Sequence, residues 1–232
     1  MIKIKIWGDI TLQTSSVVES ALSEISDTAE SVLILINSPG GTLTDATAIC
    51  NLLSAIPNPI ITVALGTCQS AAVMIFLCGT SRYASKDLDF MIHQPYIPKL
   101  TAPQNYSFSK ELSAGLKKDL DIYKKYITRN TEIPKEVLDI AFKDGNDLEI
   151  SSQDALKYKI ATNMFTTLNS LYKKEHISSE EKILLYDVLM MRAEDWLFFC
   201  SFTWNTPVFL YIFPKLVYLG ILRLLIFLLL LD

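Results

Sequence analysis

The chain has 232 residues, enough for one ordinary domain with a large core and an additional segment. Its 21 Lys and Arg against 25 Asp and Glu give a net charge of −4, so no basic surface is expected and a nucleic-acid partner is excluded. The 4 cysteines show no C-x-x-C spacing and no neighbouring histidine, which argues against a metal site or a disulfide framework. We therefore expect a cytoplasmic protein without a bound metal.

Strand and helix patterns alternate through the first hundred residues. Residues 2–6 and 32–36 are rich in β-branched side chains and predict two strands, while Val18, Leu22 and Ile25 recur between them at helical spacing. Further along, the patterns predict a helix around 46–56, a strand over 59–66, an apolar and therefore buried helix over 70–79, and short strands over 82–85 and 90–95. This order predicts an α/β fold with a parallel sheet between helices and right-handed crossovers.

Small and polar residues follow the ends of three of these strands. One strand ends at Gly40 and Gly41, the next runs into GTCQS with Ser70, and the last brings His93. Ligands of parallel sheets collect beyond the carboxyl ends of the strands, so we expect these residues to meet there. Ser70 begins a buried helix, where free amides and the helix dipole favour developing negative charge. Taken singly, a tight turn, an N-cap serine and a structural histidine explain the same residues.

The rest of the chain divides into a long helix, a polar linker and a hydrophobic extension. The helix is predicted over residues 110–131, with one apolar face formed by Leu112, Leu116, Leu120, Tyr123 and Ile127. Residues 1–170 are assigned to the main domain, 171–183 to the linker, and 184–232 to the extension.

The extension is unusually apolar, because its formal charges from Trp196 onward are Lys215, Arg223 and Asp232. Residues 208–231 are long enough to cross a bilayer, which takes about 20 apolar residues. Two basic residues inside that segment argue against a clean span. Three alternatives stay open for this extension: it associates with a membrane, it is buried against a partner, or it does not belong to the natural fold.

Three short motifs occur in an order that resembles the proteolytic subunits of the Clp protease. They are INSPGG at residues 36–41, GTCQSAA at 66–72 and MIHQP at 91–95, and the resemblance extends from about residue 4 to residue 161. It implies the ClpP/crotonase-like fold of repeated ββα and βαβ units, with a protruding handle helix at residues 110–131 that stacks two rings. It also implies a serine endopeptidase that cleaves unfolded polypeptides or short peptides inside a homo-oligomer, without a cofactor.

The resemblance assigns a catalytic role to three residues. Ser70 would be the nucleophile, His93 the general base, and Asp147 the carboxylate that orients the imidazole. Asp147 is assigned by its place in the block DGNDLEISSQDA, before a Ser-x-x-Asp-Ala helix start. Asp144 and Glu149 stay open as alternatives, because a small slip in register would put either in place of Asp147.

The same resemblance gives the glycine pair a function. The amides of Gly41 and Ala71 would form the oxyanion hole, and Gly40 and Gly41 would bind the substrate backbone as an added strand. Cys68 and Gln69 replace two small alanines of the family, and Ala71 replaces a common methionine. We therefore expect different crowding around the nucleophile.

Partners and rival functions follow from the same features. Because Met1 adjoins the first core strand, we expect the family's axial-pore segment and first helix to be missing, which makes docking of an AAA+ unfoldase doubtful. A crotonase-like enzyme would need a catalytic carboxylate and a coenzyme A pocket. A membrane-associated peptidase of the signal-peptide-peptidase type would need a lysine base. A structural ring subunit without activity is the remaining alternative.

Overall fold

The computed structural model describes residues 2–25, 31–97 and 105–166, so the predicted linker, the hydrophobic extension and their boundaries lie outside the described residues. In chain order its elements are β1 (Ile2–Trp7), α1 (Leu12–Ser23), β2 (Val32–Ser38), α2 (Leu43–Ala55), β3 (Ile60–Gln69), α3 (Ala71–Leu77), β4 (Ser81–Ser85), β5 (Asp89–Ile92), α4 (Tyr106–Asn130), α5 (Lys135–Phe142), β6 (Leu148–Ser151), α6 (Ser152–Lys157) and β7 (Asn163–Phe165).

One sheet connects all seven described strands. Its main path runs β1-β2-β3-β4-β7 with parallel pairings throughout, and β5 adds in parallel to the far end of β3. The strand β6 is the exception, because it pairs antiparallel with β5. The predicted α/β fold with a largely parallel sheet is confirmed.

The central strand β3 is longer than its sequence pattern predicted. The pattern ended near Gly66, whereas β3 continues to Gln69 because its last residues gain a second partner. The register against β2 shifts between Ile36 and Ser38, and beyond that point Cys68 and Gln69 pair with β5. This change of partner carries the chain directly to Ser70, at the end of β3.

The short helix α3 is enclosed by the rest of the chain. All seven of its residues are buried, as its uniformly apolar sequence predicted. Thr62, a fully buried residue of β3, donates its hydroxyl to the carbonyl of Phe76 at 2.7 Å. Each buried large apolar side chain contributes roughly 1.5–3 kcal/mol, so the position of α3 is strongly determined. The residue that precedes this helix is therefore held on a rigid support.

The long helix α4 packs part of its apolar stripe within the chain itself. The Asn105 side chain caps its start by accepting a hydrogen bond from the Phe108 amide at 2.9 Å. Near its end, Tyr123 and Ile127 are buried against the core. Packing inside one chain therefore accounts for two residues of the predicted stripe, whereas Leu112, Leu116 and Leu120 are only half-buried. Stacking of two rings through this helix stays a prediction.

Candidate active site

Ser70 lies on a sharp turn between a strand and a helix. It is the N-cap of α3 and has φ 53° and ψ −126°, a conformation that residues other than glycine rarely adopt. Its amide donates to the carbonyl of Met91 at 2.8 Å, and its own carbonyl accepts from the amide of Val73 at 3.0 Å. Strained serines on strand-to-helix turns are typical of hydrolases, since the turn exposes the hydroxyl beyond the sheet.

Both positions of the glycine pair require glycine, because neighbouring atoms lie too close to leave room for a Cβ atom. A Cβ atom built on Gly40, which has φ 105°, would lie 2.7 Å from the Cβ of Ser70 and 2.9 Å from the carbonyl oxygen of Gln69. A Cβ atom on Gly41, which has φ 150°, would lie 2.2 Å from the carbonyl oxygen of Ile10. No other residue type fits either position without moving the chain. The Pro-Gly-Gly segment therefore lies directly beside the serine.

Two backbone amides near Ser70 are candidates for an oxyanion hole. Ile10 forms a parallel bridge with this segment, donating to the carbonyl of Gly40 at 2.7 Å and accepting from the amide of Thr42 at 2.9 Å. That bridge leaves the amide of Gly41 on its opposite side. Ala71 is the first residue of α3, where an amide has no partner within the helix. Both amides can therefore bind an anionic oxygen.

The strand pair β5–β6 brings His93 and Asp147 to the same end of the sheet. Ile92 and Leu148 form the last pair of this antiparallel ladder, and extending its register by one position would set His93 opposite Asp147. The Nδ1 atom of His93 lies 2.7 Å from the carbonyl oxygen of Gln94 and must donate, because a carbonyl only accepts. Within the described part of the chain, no hydrogen bond joins Ser70, His93 and Asp147.

Two of the candidate carboxylates differ in their surroundings. Asp144 lies in the turn after α5, where its amide donates to the carbonyl of Asp139 at 2.9 Å. Asp147 immediately precedes β6, and the extended register would set it opposite the histidine. Both are exposed. The register thus favours Asp147 as the partner of His93.

A cavity of about 690 Å³ contains the serine, the histidine and the glycine pair. Its lining includes Gly40, Gly41, Ser70, Ala71 and His93, together with Leu112, Leu116 and Tyr123 of α4. Asp147 does not line the cavity. The volume is large enough to hold several residues of an extended peptide near the serine.

Tyr123 is the residue of this site that the sequence did not reveal. Its hydroxyl donates to the carbonyl of Ser70 at 2.9 Å. From sequence, this tyrosine was only one position in an apolar stripe. A tyrosine stands there among leucines and an isoleucine, but the sequence does not show which group accepts the hydrogen bond of its hydroxyl.

Cys50 and Cys68 are not candidates for the nucleophile. Cys68 precedes Ser70 by two positions, but it is fully buried and burial raises the pKa of its thiol. The Cys50 thiol donates a hydrogen bond to Cys78, and this bond together with burial raises the pKa of Cys50. Thiols in such surroundings stay protonated and unreactive near neutral pH. Among the described residues, no cluster of His, Cys, Asp or Glu could hold a metal ion.

Comparison with known proteins identifies a family that this chain matches. Residues 2–184 match the Clp protease family. Over 153 residues the chain is 23% identical to ATP-dependent Clp protease proteolytic subunit 1 of Chlamydia trachomatis serovar D, covering 64% of this chain and 77% of the relative. It is 32% identical over 143 residues to subunit 1 of Tropheryma whipplei strain Twist, covering 57% and 63%. Subunit 2 of Streptomyces coelicolor is 29% identical over 155 residues, covering 62% and 65%.

The α/β fold carries a serine on a strand-to-helix turn, and the family match covers residues 2–184 of the chain. The chain belongs to the Clp protease family, and with it to the serine-type peptidases. None of the helices in residues 2–25, 31–97 and 105–166 is long and apolar enough to cross a membrane.

Proposed function

We propose that this protein is a serine endopeptidase that hydrolyses peptide bonds of unfolded polypeptides or short peptides, as the proteolytic subunit of a Clp-like compartmentalised protease. The observation that carries the proposal is the strained serine at φ 53°, in one cavity with a histidine and two unencumbered amides. Family membership supports the reaction class. The individual roles of Ser70, His93, Asp147, Gly41 and Ala71 are part of the proposal.

The first step is the attack of Ser70 on the substrate carbonyl. In the described state the proton of His93 is on Nδ1, which leaves Nε2 free to accept the proton of the serine hydroxyl. As the Ser70 oxygen bonds to the carbonyl carbon, the proton moves to Nε2 and the imidazole becomes charged. Asp147, opposite His93 in the extended register, would replace the carbonyl of Gln94 at Nδ1 and stabilise the imidazolium. Such contacts often tighten only when substrate is bound.

The negative oxygen that forms in this step would be bound by the amides of Gly41 and Ala71. Such donors stabilise charge that exists only in the transition state and the intermediate, so losing one typically costs about 10²-fold or more in rate. His93 then gives its proton to the leaving amine, the C–N bond breaks, and an acyl ester remains on Ser70. A water molecule activated by the same histidine hydrolyses that ester and restores the serine.

The assembly is also proposed as a homo-oligomer of stacked rings. The names of the relatives include an ATP-dependent protease, and an ATPase would have to be a separate partner, because the sequence contains no G-x-x-x-x-G-K-[ST] loop. The exposed apolar residues Tyr106 and Ile122 of α4 are available for contacts between rings. The lysine-based alternative lacks support, since no lysine is among the described residues that line the cavity.

The decisive test replaces Ser70 with Ala and measures the cleavage of a fluorogenic peptide. We expect a loss of at least about 10³-fold in kcat, because the nucleophile is absent. The cost in stability should be small, since the Ser70 side chain makes no capping hydrogen bond. Ser54→Ala on the exposed face of α2 is the matched control, because its hydroxyl bonds only to the carbonyl of Asn51.

Labelling by a fluorophosphonate probe is a second measurement on the same variants. The wild type and Ser54→Ala should be labelled, whereas Ser70→Ala should not. Hydrolysis by Ser70→Ala at the wild-type rate would show that another group is the nucleophile. A wild-type protein that is assembled but neither labelled nor active would favour the structural ring subunit instead.

A further inference from the structure

Tyr123 connects the long helix α4 to the backbone of the serine. It is among the largest fully buried side chains, at 1% exposure, and its ring packs edge-on against Phe142 with centroids 5.8 Å apart. Its hydroxyl donates to the carbonyl of Ser70 at 2.9 Å. Burial raises the pKa of this phenol, so it stays protonated and remains a donor throughout the neutral range.

The carbonyl that Tyr123 holds belongs to the same peptide group as the amide of Ala71. A peptide group is planar, so the carbonyl of residue 70 and the amide of residue 71 point in opposite directions and rotate together. The other donor to this carbonyl is the Val73 amide at 3.0 Å, which belongs to α3 itself and moves with it. The phenol comes from a separate element, and it therefore restrains the plane against rotation relative to the rest of the site.

We infer that Tyr123 is a positioning residue that fixes the peptide plane between Ser70 and Ala71, and so aims the Ala71 amide at the oxyanion. The inference rests on the proposed function, because it needs a reaction in which that oxyanion forms. Hydrogen bonding to the carbonyl also polarises the peptide group and strengthens its amide as a donor. The effect acts on the transition state, where the negative oxygen exists, and not on substrate binding.

The test is Tyr123→Phe, which removes the hydroxyl but keeps the ring that lines the cavity. We expect kcat to fall about tenfold, equivalent to about 1.4 kcal/mol of transition-state stabilisation, while KM changes less than about twofold. The rate of fluorophosphonate labelling and the affinity for a peptide boronate should fall by a similar factor, since both place an oxygen in the oxyanion hole. Rates are expressed per folded active site, with folding checked by thermal unfolding.

Tyr126→Phe is the matched control on the same helix. Its hydroxyl lies 3.2 Å from the Sγ of Cys78, at the opposite end of α3 from the serine. This variant should keep the wild-type kcat even if it loses stability. If Tyr123→Phe does not fold, 4-fluorophenylalanine at position 123 refills the volume of the hydroxyl without donating and replaces it in the comparison.

The outcomes separate this inference from the proposed function. A wild-type kcat for the Tyr123 variant, or an equal loss in Tyr126→Phe, overturns the positioning role while Ser70→Ala remains inactive. A loss expressed only in KM also overturns it, because positioning of the oxyanion donor acts on kcat. If Ser70→Ala itself stays active, it is the proposed function that fails, whatever the Tyr123 variant does.

Discussion

Replacing Gly40 with Ala tests whether the glycine pair lies against the nucleophile. The backbone at this position has φ 105°, and an added Cβ would come 2.7 Å from the Cβ of Ser70 and 2.9 Å from the carbonyl oxygen of Gln69. Contacts under 3.0 Å require something to move, and both neighbours lie on the central strand or its end. The variant therefore must either strain its own backbone or displace the serine.

The magnitude combines two costs. A side chain in this backbone region costs about 1–3 kcal/mol, and overpacking a close contact costs about 1–3 kcal/mol more. We therefore expect a loss of about 2–6 kcal/mol in the free energy of unfolding. Displacing the nucleophile by about 1 Å can cost about 10²-fold in rate, so kcat/KM should fall at least that far.

Thermal unfolding and peptide hydrolysis are measured together, with Gly8→Ala as the control. Gly8 also has positive φ, at 73°, but an added Cβ there meets nothing within 4 Å. This control should lose about 1–2 kcal/mol from backbone strain alone and keep its kcat/KM. If Gly40→Ala matches the control in both stability and activity, the close approach of Gly40 to the serine is refuted.

The other predictions concern the carboxylate, the handle helix and the half-buried Arg82. Asp147→Asn should lower kcat by about 10²–10⁴-fold, because it removes the partner of the imidazole. Asp144→Asn should change kcat less than about twofold, and the opposite ranking would show that the assigned register is shifted. Leu116→Glu should raise KM, because Leu116 lines the cavity, and an unchanged KM would contradict this. Ile122→Glu should alter sedimentation, because Ile122 is exposed, and an unchanged profile would argue against a ring contact there. Arg82→Lys should lower the free energy of unfolding, measured in urea, by about 1–3 kcal/mol, because a lysine cannot reach all three backbone carbonyls that the guanidinium binds. An unchanged urea midpoint would argue against the importance of these hydrogen bonds.

The described elements were predictable from sequence where the signal was local. The uniformly apolar run of α3 predicted burial, and all seven residues of that helix are buried. The strands β1 and β2 follow their β-branched runs, and their parallel pairing follows from the helix between them. The short elements α5 and β7 were not predicted separately, since eight and three residues contain too little periodicity.

The sequence by itself determined the α/β class, the family resemblance and the residues that would carry the chemistry, because motifs and periodicity are properties of neighbouring residues. Only the tertiary structure decided how those residues meet. The extension of β3 to Gln69 depends on the partner that β5 offers, and the bond from Tyr123 to Ser70 joins residues 53 positions apart. The stripe on α4 shows the same division, since a periodic pattern reveals which face is apolar but not which surface covers it. Registers and contacts across such distances depend on packing of the whole domain, which no local pattern contains.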